Sequence, residues 1–300
     1  AKGSAKVILN EVNSSNPSHL KGFIEVAGQR AEVIVANPSG ISVNGATFIN
    51  AGHVKLTTGT PVIKDDKLAG FRVSSGSILV DGQGLDTSTS DYTALLSRAL
   101  QVNAGIWANE LKVVTGPHTV DSESLEPGAN TNVQATSPSS PAPSFAMDVS
   151  ALGGMYAGKI QLIGTEAGLG VRNAGKLISS QGPLTLSQSG WLSNSGSITS
   201  KEAMSIQTQG KMDNSGSLYA SGPLAIVSGD NQSHSGITAS LDTVSLQTSV
   251  GSQAHIQSST GSVIASGMNA DGYLVNARSL NVQADGQVQL SGKTQTTDAM

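Results

Sequence analysis

An Asn-x-Gly triplet that returns about every twenty residues limits what this chain can fold into. Asn173-Ala174-Gly175 comes back as Asn194-Ser195-Gly196, as Asn214-Ser215-Gly216 and, weakly, as His234-Ser235-Gly236. Apolar residues keep the same beat. Leu184, Met204, Leu224, Val244 and Ile264 fall twenty residues apart, and Leu186, Ile206, Ile226 and Leu246 run two positions behind them. A two-residue offset puts both files on one face of a strand. A short fixed period marks a solenoid, whose repeats cannot bury an apolar row alone and must stack on their neighbours.

Helical repeats need apolar spacings of three and four, whereas these segments alternate, as in Leu184-Thr185-Leu186 and Ser205-Ile206-Gln207. Gly, Ser and Asn bound them, which is turn punctuation. The dense leucine signature of a leucine-rich repeat is missing. The pattern therefore predicts an all-β chain, a right-handed parallel β-helix in which successive coils sit about 4.8 Å apart. Asn173, Asn194 and Asn214 are expected at its corners, where Asn and Gly tolerate left-handed backbone. Their side chains are placed to hydrogen-bond along the axis.

Composition bears on the function classes. Charged residues are 13% and aromatics 3%, with 35 glycines, so disorder is the rival reading, and the apolar files argue against it. A net charge of −4 provides no basic footprint for nucleic acid. No apolar run is long enough for a helical membrane span. There is no cysteine, which suits passage through an oxidising compartment. Ala1-Lys2-Gly3-Ser4 leads directly toward a strand with no signal peptide, so the chain reads as a piece of a longer secreted protein.

In chain order, Val7 to Val12, Ile24-Glu25-Val26 and Val33-Ile34-Val35 read as strands. Asn37-Pro38-Ser39-Gly40 follows as the best-formed turn signal: Asn bonds its own backbone, Pro presets φ, and Gly completes a type I turn. Strands then continue through Val80. Tyr92, Leu95, Leu96, Ala99 and Leu100 have helical spacing, with Ser90 or Asp91 as cap, and predict an amphipathic helix. Ile106-Trp107 and Leu111 to Val114 predict a hairpin, so 87–120 is expected to leave the coil. Residues 122–144, rich in Ser, Pro and Asn, are expected to form a mobile loop. Coils resume near Phe145.

Val7-Ile8-Leu9-Asn10-Glu11-Val12, Asn16-Pro17-Ser18, Ala36-Asn37-Pro38-Ser39-Gly40-Ile41 and Phe48-Ile49-Asn50 together resemble the secretion domain of two-partner-secretion exoproteins. These are the filamentous-haemagglutinin-like adhesins and the contact-dependent growth inhibition effectors. The run Asp148 to Gly158 and Gly164-Thr165-Glu166-Ala167-Gly168 resemble the inhibition-effector branch, and the Asn-Ser-Gly coils resemble haemagglutinin repeats. The resemblance implies a secretion domain over 1–160, without the family's N-terminal cap, and β-helical repeats over 161–300. Its implied partners are a cognate outer-membrane transporter and, through a distal region, a target-cell receptor. Asn10, Glu11, Val12, Asn37, Pro38, Ser39, Gly40 and Ile41 would then serve transporter recognition or the start of folding. Many inhibition effectors carry two cysteines just after the turn; Val43 and Ala46 stand there instead.

Signs of catalysis are sparse. Asp65-Asp66 is the only adjacent acidic pair and reads as a solvated turn between Lys64 and Lys67. His19, His53, His118, His234 and His255 have no metal-ligand spacing and read as surface residues. Trp107 and Trp191 are isolated in sequence and read as packing residues. No catalytic residue, metal or cofactor is expected. The implied function is a secretion and scaffold region for a growth-inhibition toxin. An adhesin and a polysaccharide-degrading β-helix are the alternatives.

Overall fold

The computed structural model describes residues 4–130, 132–268 and 271–298. It has two compact units, Ala1–Glu166 and Ala167–Met300. Each is a parallel β-helix, and among the described residues the single helical element is the 3-10 turn Ser122–Leu125.

In the second unit each coil contributes three short strands, for example Leu192–Asn194, Ser197–Ser200 and Met204–Thr208. Parallel register joins Leu184 to Met204, Met204 to Leu224 and Leu224 to Val244. All four side chains are buried, as alternation requires of residues facing the coil interior. Ile264 departs from this file. Val244 pairs with Leu280 instead, and Ile264 lies in Ser262–Ala265 opposite Ala239, half-exposed. Extra residues after Thr248 and after Ala265 lengthen two coils, so arithmetic spacing and structural register part company there.

In the first unit one sheet stacks Val7–Glu11, Ala31–Ala36, Ala51–Thr57, Tyr92–Ser97, Gly105–Thr115 and Gly154–Gly164 in parallel. Two insertions interrupt the winding. Thr60–Lys64 and Lys67–Val73 form a hairpin, and its turn residues Asp65 and Asp66 have φ of 49° and 58°. The left-handed pair matches the strand twist as a type I′ turn does. His118–Asp121 comes from a later coil and pairs antiparallel with Lys67–Val73 of the first insertion, Val120 opposite Phe71, and Val133–Ala135 pairs antiparallel with its other edge. The resulting four-stranded sheet covers the outer face of the coil.

That cover explains why the expected helix is absent. Tyr92, Ala94 and Leu96 point outward into a second core with Phe71, Val73, Val120 and Leu125, while Thr93 and Leu95 are buried on the other face. Every residue of Tyr92–Ser97 is buried. A strand buried on both faces, followed after Arg98 by Ala99–Val102, imitates the three-and-four spacing of a helix. The hairpin expected at 106–114 is one continuous strand, Gly105–Thr115, whose start pairs with Leu85–Asp86 and whose remainder pairs with Tyr92–Ser97. Both are rungs of the coil; the excursions lie at 60–73 and 118–135.

Among the described residues, the segment 122–144 is also more ordered than its composition predicts. It holds the 3-10 turn and Val133–Ala135. Beyond them, Ser139 donates to the Ser74 carbonyl and Arg98 donates to the carbonyls of Ser140 and Pro141. Arg98 is buried and forms a two-pronged ion pair with Glu166, at 2.7 and 3.1 Å. Its guanidinium fork supplies donors to both the carboxylate and the loop.

Candidate recognition turn

The Asn37-Pro38-Ser39-Gly40 turn follows Ala31–Ala36 and precedes Ile41–Ile49. The Gly40 amide donates to the Asn37 carbonyl at 3.0 Å, closing the four-residue turn, and the Ser39 amide donates to Asn37 Oδ1 at 2.9 Å. Gly40 has φ +114°, and a Cβ there would lie 3.2 Å from the Ser77 carbonyl oxygen, so both conformation and space favour glycine.

Asn37 is fully buried and does more than shape its own turn. Its Nδ2 donates to the Asn16 carbonyl and to Ser18 Oγ, each at 2.9 Å, in the preceding coil. Its backbone amide donates to the Thr57 carbonyl of the following coil at 2.9 Å. Ser39 Oγ donates to the Ser14 carbonyl at 2.8 Å. The turn thus clasps three successive coils. Pro38 is half-buried, Ser39 exposed and Ile41 buried.

The other half of the predicted motif lies alongside. Asn10 is opposite Val35, Glu11 is opposite Ala36, and the Val12 amide donates to the Ala36 carbonyl at 2.8 Å. Asn10 and Glu11 are exposed, so the structure brings the two motif halves together at one corner, with polar groups facing solvent and Asn37 within. Val43 and Ala46 are buried in the coil.

Asn173, Asn194 and Asn214 close the strands just before their corners. Asn173 Nδ2 donates to Asn194 Oδ1 and Asn194 Nδ2 to Asn214 Oδ1, each at 2.8 Å, forming a buried ladder. Asn214 passes it to the Thr238 hydroxyl at 3.1 Å, which bonds His234 Nδ1 at 2.8 Å. The expected left-handed backbone is not what these positions use: neither the Asn residues nor Gly196 and Gly216 have positive φ. Glycine is required by close approach, since a Cβ on Gly196 or Gly216 would stand 2.1 or 2.0 Å from the carbonyl oxygen of the glycine one coil before.

Several other sites were not legible in advance. His118 and His234 are buried, not surface residues, and burial pushes both down to about 4. His118 Nδ1 lies 2.7 Å from the Gly116 carbonyl oxygen, a bond that partly opposes the shift. Glu32, His53 and Glu126 converge with donor atoms within 4.8 Å of one another. The Lys55 ammonium occupies the cation position, 2.6 Å from Glu32 and 3.6 Å from Glu126. Lys112, also buried, donates to the Ser124 carbonyl at 2.9 Å, and burial lowers it to about 8. A lysine between two apolar residues of a strand, as at Val54-Lys55-Leu56 and Leu111-Lys112-Val113, was the available signal for a covered outer face. Trp107 is neither isolated nor buried: its ring packs over Gly105 and stacks on Tyr156, and part of it faces solvent.

A parallel coil with an outer antiparallel cover and an Asn-Pro-Ser-Gly clasp at its first corners is the architecture of a capped parallel β-helix. The TPS (two-partner secretion) secretion domain family model matches residues 1–194, and the haemagglutinin repeat model matches 179–299. The chain belongs to the TPS secretion domain family. It is accordingly a region of a secreted or cell-surface exoprotein of a Gram-negative bacterium.

Among similar proteins, Toxin CdiA of Yersinia pestis is 48% identical over 208 residues, which are 69% of this chain and 6% of that protein. The tRNA nuclease CdiA-2 of Burkholderia pseudomallei strain 1026b is 43% identical over 197 residues, 65% of this chain and 6% of that protein. The 16S rRNA endonuclease CdiA of Enterobacter cloacae is 44% identical over 187 residues, 62% and 5%. The aligned region is thus about 6% of the length of these curated relatives. The crystal structure of filamentous hemagglutinin secretion domain shares the fold, with a TM-score of 0.57 and 22% identity over 98% of this chain and 75% of that one.

Proposed function

We propose that this chain is the secretion and scaffold region of a contact-dependent growth inhibition effector, exported through a cognate outer-membrane transporter. Its coils fold in sequence at the cell surface and begin the shaft that carries a distal toxin. The carrying observation is the identity of 43–48% to CdiA proteins across a region that matches the secretion domain. The nuclease activities named for the relatives belong, in this reading, to a region outside the aligned part. The chain itself is non-catalytic and binds no nucleic acid; the receptor of the target cell is met by the distal region. Transporter recognition and the start of folding fall to Asn10, Glu11, Val12 and the Asn37 to Ile41 turn, because Asn37 joins three coils through side chain and backbone.

Nearest-neighbour stability makes folding of stacked coils directional, since each completed coil templates the next. The test is export of the Asn37→Ala and Gly40→Val variants with the native transporter. Surface protein should fall sharply while cytosolic synthesis is unchanged; normal surface levels of both variants would count against the assignment. The haemagglutinin repeat match over 179–299 favours a second reading, an adhesin shaft. Host-cell binding without target-cell inhibition by the whole protein would select it.

A further inference from the structure

On one outer face of the first unit, the parallel register fixes a column of outward side chains. Phe23 is opposite Thr47, Thr47 opposite Asp86, Asp86 opposite Trp107, and Trp107 opposite Tyr156. The order is aromatic, short, short, aromatic, aromatic. Two rungs of short side chains between rings leave a trough of about 590 Å³, which Phe23, Thr47, Asp86 and Trp107 help to line. Phe23 is 77% and Trp107 42% exposed.

The rings are held rather than loose. Trp107 and Tyr156 lie 6.0 Å apart and 15° from parallel. Each leans along its own strand over a glycine: a Cβ on Gly105 would be 2.4 Å from the Trp107 ring, and one on Gly154 would be 2.7 Å from the Tyr156 hydroxyl. A large aromatic surface fixed before contact loses little freedom when it binds. Water has access to part of it, as the exposure of Phe23 and Trp107 shows.

The polar groups narrow the ligand. Asp86 Oδ1 accepts the Ser88 amide and hydroxyl at 2.9 and 2.6 Å, and Oδ2 has no partner among the described residues. The Trp107 indole N–H likewise has none among them. No lysine or arginine lines the trough, so its one formal charge is the Asp86 carboxylate. That excludes anionic sugars and suits a neutral molecule with many hydroxyls and flat C–H faces. Rungs repeat about every 4.8 Å, close to the advance per ring of an extended β-linked sugar chain.

We propose that this face binds a neutral, β-linked, gluco-configured oligosaccharide, with pyranose faces against Trp107 and Phe23 and hydroxyls donated to Asp86. Pockets of this volume, apolar walls with a few convergent polar groups, are the usual form of small-ligand sites. The inference stands on the column itself and does not depend on the export assignment.

The test uses the folded 300-residue chain in a Trp191→Phe background, so that Trp107 is the remaining tryptophan. Cellohexaose and chitohexaose are titrated to about 10 mM, with oligogalacturonate as the charged arm, by tryptophan emission and calorimetry. Saturable binding of a neutral hexasaccharide is expected, with Kd on the order of 1 mM or tighter. Phe23→Ala should weaken calorimetric binding about tenfold, the effect of one lost stacked ring. Thr47→Met, which fills the trough without adding an aromatic ring, should abolish it with an unchanged denaturant midpoint. The proposal is overturned by no saturable binding of either neutral sugar, by preference for the uronate, or by unaltered binding in both variants. Loss of export in Trp107→Ala without any sugar binding would instead mark the face as a protein contact, and would also overturn it.

Discussion

Asn194→Ala probes the buried ladder at its middle rung. Asn194 accepts from Asn173 and donates to Asn214, both at 2.8 Å, and is fully buried. Truncation leaves Asn214 Oδ1 without its donor. It leaves Asn173 Nδ2 with only the longer contacts to the Gly175 and Ser197 carbonyls, at 3.4 Å each. A buried acceptor without a partner costs about 1–3 kcal/mol, and a partly compensated donor adds about 1, so the total is about 3 kcal/mol. At about 1.4 kcal/mol per decade that is a factor on the order of 100 in the unfolding equilibrium. Urea titration followed by Trp191 emission reads it, since Trp191 lies in the same coil. Hydrogen exchange at the Ser215 amide, which donates to the Asn194 carbonyl, reads it locally. Adding Asn173→Ala should cost less than the sum by about 1 kcal/mol, because the orphaned donor is removed as well. A cost below about 0.5 kcal/mol, the level of an ordinary surface change, or strict additivity, would refute the ladder as a stabilising element.

Other outcomes follow from the same geometry. Gly216→Ala places a Cβ 2.0 Å from the Gly196 carbonyl, a backbone atom that cannot step aside, so stability should fall by at least about 3 kcal/mol in denaturant titrations. Arg98→Met strands the Glu166 carboxylate and frees the loop carbonyls; limited proteolysis should then cut within 137–144 under native conditions, where the parent chain resists. His118 and His234 have folded pKa values of about 4 against 6.5 unfolded, so the unfolded chain binds the proton more readily. Their contribution is present above pH 6.5 and is lost as pH falls toward 4, by about 3 kcal/mol for each. The denaturant midpoints at pH 7.5 and 4.5 should differ accordingly, and His234→Asn, which sits opposite Asn214, should flatten the second unit's share.

Much of the fold is written in the spacing of small apolar residues. Alternation puts Leu184 and Leu186 on one face, and a repeat too short to bury them alone forces coil on coil. Those are local and nearest-neighbour facts, so the linear order of residues suffices. The Asn37 turn was legible for the same reason, because Asx and glycine preferences act within four residues.

What the chain alone could not settle depends on residues distant in sequence. The helix expected at Tyr92 was refuted by a cover built from two insertions that meet only in space, Phe71 against Val120. Until that sheet is placed, a two-faced buried strand and an amphipathic helix present the same apolar pattern. Ile264 kept the arithmetic of its file, yet two lengthened coils gave its place to Leu280. The glycines of the triplets serve the contact between neighbouring coils, and the stacking of Trp107 on Tyr156 spans an insertion that separates them along the chain. Periodicity determined that coils stack; only the folded chain decided which side chains each insertion would bury.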